Sequence, residues 1–279
     1  MAEAEWLACD EPTPMLESLG TVANSRKLRL FCCACCHRAA GLLTGDDVRH
    51  ARNALTVFER HLEGQATDRD LEGAWGGVYR DAMDAAHAIA HPGEADYYAI
   101  SAAADAIDSI RRNDLARAVS LAADAVAYDA LARSGSPALA RIATEWTPRG
   151  GPLRQLMDEL LKRPPAYSRE RWGRNEEDVR RLPEYTDARA AERRKQCVML
   201  RDIFGNPFRP ATLHTSWLTH TARTLAEGIY ADRAFDRLPI LADALQDAGC
   251  ENRDILNHCR GEGPHVRGCW VVDQVLNKE

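Results

Sequence analysis

The chain has 279 residues, 45% of them hydrophobic and 28% charged. That is the balance of a soluble globular protein of one or two domains, long enough to bury a core without disulfides. A formal charge of −6 excludes a general polyanion binder. No apolar run approaches the roughly 18 residues of a membrane span, and the acidic opening Met-Ala-Glu-Ala-Glu lacks the basic start of an export signal. No membrane association and a cytoplasmic location are therefore expected.

In chain order, nearly every periodic segment reads as helix. Ser25 is placed to cap a helix whose apolar positions Leu28, Phe31, Cys32, Cys35, Ala39 and Leu42 recur at helical spacing. Thr44-Gly45-Asp46-Asp47 ends it and starts a helix carrying Ala51, Leu55, Phe58 and Leu62. Two further stripes follow, Ile100-Ala103-Ile107-Ile110 and Leu115-Val119-Ala122-Val126. Residues 82–143 hold 22 alanines in 62 positions, and small side chains let helices approach closely. Residues 1–146 are thus expected to form an alanine-rich antiparallel helical array.

Residues 147–195 differ. They carry Pro148, Pro152, Pro164, Pro165 and Pro183, and from Lys162 to Lys195 they hold 11 basic against 7 acidic residues. Tyr167, Trp172 and Tyr185 are interleaved with the arginines. After a short amphipathic helix at Leu153–Leu161, this reads as a Pro/Arg-rich connector. Residues 196–279 then read as a compact helical module entered through Phe204-Gly205-Asn206-Pro207. A helix is expected over Trp217–Tyr230. A second, capped by Asp236 with Pro239 in its first turn, ends at Gly249, and a third is capped by Asn252. A last helix or strand closes the chain. The fold class is all-α.

Nine cysteines, an odd number, with four at Cys32, Cys33, Cys35 and Cys36, argue against a secreted disulfide framework. The overlapping C-x-x-C pairs there fall in mid-helix beside Leu28 and Phe31. Zinc and redox pairs favour turns and helix starts, so packing is the first reading of these thiols. Denser in potential ligands is the region Cys250, His258, Cys259, His265 and Cys269. Four nitrogen and sulfur donors surround a loop built from Gly261, Gly263, Pro264 and Gly268. A structural zinc ion takes four such donors in a closed tetrahedron. His258 and Cys259 are adjacent, about 100° apart on a helix, so one of them would ligate, with Cys250 a further candidate. The same residues would serve a glycine-built loop with packed thiols, or a catalytic Cys/His pair if a thiolate faced an imidazole in a cleft. The acidic pairs Asp81/Asp84 and Asp105/Asp108 share helix faces and read as solvated surface.

The runs Glu5-Trp6-Leu7-Ala8-Cys9, Arg26-Lys27-Leu28-Arg29-Leu30-Phe31, Leu200-Arg201-Asp202-Ile203-Phe204-Gly205-Asn206-Pro207-Phe208-Arg209-Pro210 and Gly263-Pro264-His265-Val266-Arg267-Gly268-Cys269-Trp270 resemble a family of bacterial proteins common in planctomycetes. So does Ala234–Leu245 leading to His258-Cys259-Arg260. The resemblance covers roughly the first 45 and last 80 residues and implies no particular activity. Ile240–Gly249 is also similar to a short bacterial repeat-companion domain, with Ala244 where that domain tends to carry Trp.

The expected function is a non-enzymatic helical protein-interaction or regulatory module, whose C-terminal loop either packs its thiols or holds a structural zinc. The partner would be another protein. Two alternatives remain open at this point: a metal-assisted or thiol enzyme using that loop, and a nucleic-acid-binding regulator acting through the basic connector.

Overall fold

The computed structural model describes residues 1–20, 25–41, 45–75, 95–139 and 177–278. Among them all regular structure is helical, and the fold is all-α. Expectations for Leu153–Leu161, for Asp81/Asp84 and for most of the connector lie outside the described residues. By contact density the chain divides into two units. One comprises residues 1–35, 113–116 and 193–279; the other comprises residues 36–112 and 117–192. The division falls within the helices Ser25–Ala40 and Pro183–Phe204, so each contributes to both units.

In the second unit, the helix Gly45–Leu62 packs on Asp68–Trp75 and on Ala95–Arg111, and Phe58 meets the Trp75 ring edge-on. The helix Leu115–Arg133 buries Ala118, Ala122, Ala123, Ala125, Ala127 and Leu131. These methyl-sized contacts are what its composition predicts. It also buries Asp124, a charge that needs partners in such surroundings. Asp124 receives the Tyr185 hydroxyl at 2.8 Å and Arg189 Nε at 2.5 Å, and a bidentate Arg38–Glu192 pair lies in the same unit. Tyr185, Arg189 and Glu192 belong to a regular helix, Pro183–Phe204, that runs past the expected connector boundary at residue 195.

The first unit holds the C-terminal helices around one apolar core. His220–Asp232 packs on Leu238–Asp247 and on Trp270–Leu276, and Leu238–Asp247 packs on Arg253–Arg260. Leu238, Leu241, Leu245, Ile255, Val271 and Val275 are fully buried between them. The helix expected from Trp217 begins instead at His220. Thr219 caps it by accepting the Ala222 N–H, and Thr215–Trp217 is a separate 3₁₀ turn. Asp236 likewise lies in a 3₁₀ turn, and Arg237 occupies the N-cap of the following helix without a side-chain bond. Pro239 does sit in that helix's first turn, where no N–H is missed. Asn252 caps its helix as expected, accepting from Asp254 and Ile255 N–H at 3.0 and 3.3 Å. The closing segment is helical.

Two further features tie this unit together. Arg26 forms an ion pair with the buried Asp273 at 2.8 Å and donates to the Tyr230 hydroxyl at 2.9 Å. The Tyr230 ring lies beneath the cationic ends of Arg267 and Lys278. At the start of the chain two short helices, Glu3–Ala8 and Pro12–Leu19, bury Trp6, Met15 and Leu19.

Candidate metal centre

All nine cysteines are thiols rather than disulfide halves, and eight are buried. Cys32, Cys33, Cys35 and Cys36 lie within a stretch of the Ser25–Ala40 helix that is buried from Leu30 to Cys36, the behaviour of small hydrophobes. Burial pushes the Cys32 thiol far up, out of the reactive range. His37, expected on the wetter face, is half-buried with Nε2 3.1 Å from Glu59. Asp105 and Asp108 face arginines, Arg117 and Arg112 respectively.

The C-terminal loop gathers its donors more tightly. In the helix Arg253–Arg260, Ile255 and Cys259 are one turn apart and both go into the core. His258, about 100° round the helix from Cys259, is thereby turned out of the core. The loop then folds back through Gly263, whose φ is +80°; a Cβ there would stand 2.7 Å from the His265 backbone nitrogen. Only glycine allows the chain to bring His265 round in this way. Cys269 closes the loop immediately before the helix Trp270–Leu276.

His258, His265 and Cys269 converge on Asp202, in the last turn of the helix Pro183–Phe204. One donor atom from each of the four lies within 4.8 Å of all the others. Asp202 Oδ1 is 2.6 Å from His265 Nδ1 and 3.1 Å from His258 Nε2, and that nitrogen is 3.2 Å from Cys269 Sγ. The outward atoms are also engaged. Asp202 Oδ2 accepts the Val266 N–H at 2.9 Å, and His265 Nε2 stands 3.2 Å from the Gly261 carbonyl.

Burial sharpens the electrostatics. Desolvation alone would raise the Asp202 pKa, but hydrogen bonds and charge from His258 and His265 outweigh it and hold the carboxyl below its ordinary value. Desolvation alone would lower His265; the Asp202 hydrogen bond and charge, with the Gly261 carbonyl, carry it above the ordinary imidazole value. Burial, then the Asp202 charge, push the Cys269 thiol well up. Burial likewise brings Cys259 up to about 12.

These residues can therefore hold either protons or a divalent ion. Without an ion, the raised His265 pKa favours the imidazolium that offsets the Asp202 carboxylate, and the raised Cys269 pKa favours the protonated thiol. With an ion, carboxylate and thiolate would supply two negative charges against its two positive ones, and histidine would bind it as a neutral donor. Either way the buried group is near neutrality, as its surroundings require. A tetrahedral zinc ion, with bonds of about 2.0–2.3 Å, spaces its donors roughly 3.3–3.7 Å apart. The observed separations, up to 4.8 Å, need to change by a few tenths of an ångström up to about 1.5 Å. A His265 that offers Nδ1 while Nε2–H donates to a backbone carbonyl has the outer partner typical of metal-bound histidine.

Of the five residues singled out from sequence, three are brought together here. Cys250 and Cys259 lie in the neighbouring apolar core, outside the four-donor group. Asp202 was missed as a ligand. Its signal is an acid on the buried face of a helix end, flanked by the buried Leu200 and Ile203, where the helix dipole disfavours negative charge. Among the described residues no helix is long and apolar enough to cross a membrane. No protein-family model, curated protein or solved structure matches this chain.

Proposed function

We propose that the chain is a non-enzymatic helical interaction module whose first unit is stapled by a structural zinc ion on Asp202, His258, His265 and Cys269. The observation that carries this reading is the convergence of four donors from three separate segments, with Asp202 and Cys269 buried and the outer atoms of Asp202 and His265 already bonded. Four protein donors leave no position for water or substrate, which is the arrangement of structural zinc. A thiol enzyme would need an exposed thiolate, whereas Cys259 and Cys269 are both fully buried with raised pKa values. The nucleic-acid reading is less favoured, because Arg181, Arg189 and Arg193 of the basic stretch face carboxylates. A protein partner, a reducing cytoplasmic setting and membership of the planctomycete-type family complete the proposal; nine cysteines outside any disulfide suit that setting.

The deciding measurement is metal content of untagged protein purified without chelator, alongside Cys269→Ser and Cys259→Ser. One zinc per chain is expected in the parent protein and in Cys259→Ser, and none in Cys269→Ser. Absence of stoichiometric metal from the parent protein, or retention in Cys269→Ser, would overturn the assignment.

A further inference from the structure

Next to Asp202, Arg201 faces the N-terminal segment. Its guanidinium donates from Nε and Nη2 to the Trp6 carbonyl at 3.1 and 2.9 Å, and from Nη2 to the Cys9 carbonyl at 2.5 Å. The last carbonyls of a helix have no partner within it, and a cation beside them opposes the negative end of the dipole. The helix Glu3–Ala8 has six residues, too few to persist alone in water. It exists because it is docked. Just beyond, the Gly205 carbonyl accepts the Trp6 indole N–H at 3.2 Å, and Asn206 Nδ2 donates to Glu3 Oε1 at 2.5 Å.

The other side of Gly205 meets the metal loop. Its φ is +65°, and a Cβ would come 3.3 Å from the Trp270 ring. Trp270 directly follows Cys269, and its ring centroid lies 5.1 Å from that of His258. Gly205 is therefore held between two tryptophans, one on the N-terminal segment and one bound up with two metal donors. Contacts run without a break from Asp202 through His258, Trp270 and Gly205 to Trp6.

Building on the zinc reading above, we infer that occupancy of the metal centre governs docking of residues 3–19. With the ion bound, the closed loop presses Trp270 on Gly205 and keeps the backbone at 205–206 shaped to receive Trp6 and Glu3. With the ion removed, the loop relaxes, the segment detaches, and the apolar side chains of Trp6, Met15 and Leu19 are uncovered. The two sites are the four-donor centre and the seat of Trp6; the two states are docked and released. Such coupling is reciprocal, so a change that weakens docking weakens zinc binding by the same factor.

The test uses the full chain, stripped with chelator and reloaded with one equivalent of zinc. Hydrogen exchange is followed at the amides of residues 3–19, and zinc affinity is measured by competition with a chromophoric chelator. The variants are Trp6→Phe, which keeps an aromatic ring but loses the bond to Gly205, and Asn206→Ala, which loses the bond to Glu3 at a less buried position. Zinc should slow exchange across the segment about tenfold or more, and each variant should bind zinc at least about fivefold more weakly, within the usual span of such couplings. If zinc binds while exchange of the segment is unchanged, or if both variants bind it as tightly as the parent, the coupling is overturned and the metal centre stands. If the parent protein binds no zinc, both readings fall together.

Discussion

Asp202 and His265 answer pH in opposite directions, and an ion changes the answer. Without metal, the lowered Asp202 pKa contributes stability above the ordinary carboxylate range, lost as pH falls through its folded value. The raised His265 pKa contributes stability that is fully present below the ordinary imidazole value, lost as pH rises through its folded value. The ion-free protein should therefore weaken from mildly acidic towards alkaline pH. A bound ion needs neutral imidazoles and a thiolate, so its stabilisation grows as pH rises over the same range. Denaturant midpoints measured from pH 5.5 to 8.5, with and without zinc, should diverge as pH increases; parallel curves would show that these residues hold protons only. Part of this site was legible in advance. His258, His265 and Cys269 crowd a short glycine-built stretch, and their chemistry shows in their spacing. Helix phase could also have decided between His258 and Cys259, because Ile255 and Cys259 share one face. Asp202 could not be paired with them, since only the tertiary fold brings that helix end to the loop.

The helix Arg253–Arg260 depends on its cap more than a longer helix would. Eight residues of modest propensity gain little from their own hydrogen bonds, and Asn252 Oδ1 satisfies two otherwise unpaired N–H groups at its start. Asn252→Ala should cost about 1 kcal/mol of stability and weaken zinc binding through a less rigid His258. Urea unfolding with metal titration would check both, and an unchanged midpoint would argue that packing of Ile255 and Cys259 alone holds the helix. The same cap was readable from sequence, as were the stripes that became Ala95–Arg111 and Leu115–Arg133, because both signals are local. The elements that escaped are those built by distant partners. Glu3–Ala8 is too short to show periodicity and takes its stability from Arg201 and Gly205. Pro183–Phe204 was masked by its charges: nothing local shows that Arg189 serves Asp124 or that Glu192 serves Arg38.

Over the whole chain, the two units are expected to respond unequally to the metal. A ligand stabilises only structure that must be intact for it to bind, by RT ln(1 + [L]/Kd), about 4 kcal/mol at a free concentration a thousandfold above Kd. The four donors all belong to the first unit. The second has its own buried alanine and leucine contacts and its own Asp124 ion network, none of which involves a donor. Zinc should therefore slow amide exchange in Arg253–Arg260, Trp270–Leu276 and the end of Pro183–Phe204, by up to roughly a thousandfold where exchange requires opening of the site. Exchange in Gly45–Leu62 and Ala95–Arg111 should change by less than about twofold, since local stabilities in separate cooperative units are independent. Peptide-resolved exchange on the chelated and the zinc-loaded chain reads both at once. Equal slowing in both units would mean that the chain opens as one cooperative body, with the ion stabilising all of it. Slowing confined to the first unit would make the ion a local staple, and the alanine-rich helices would keep the same fold and surface whether or not metal is bound.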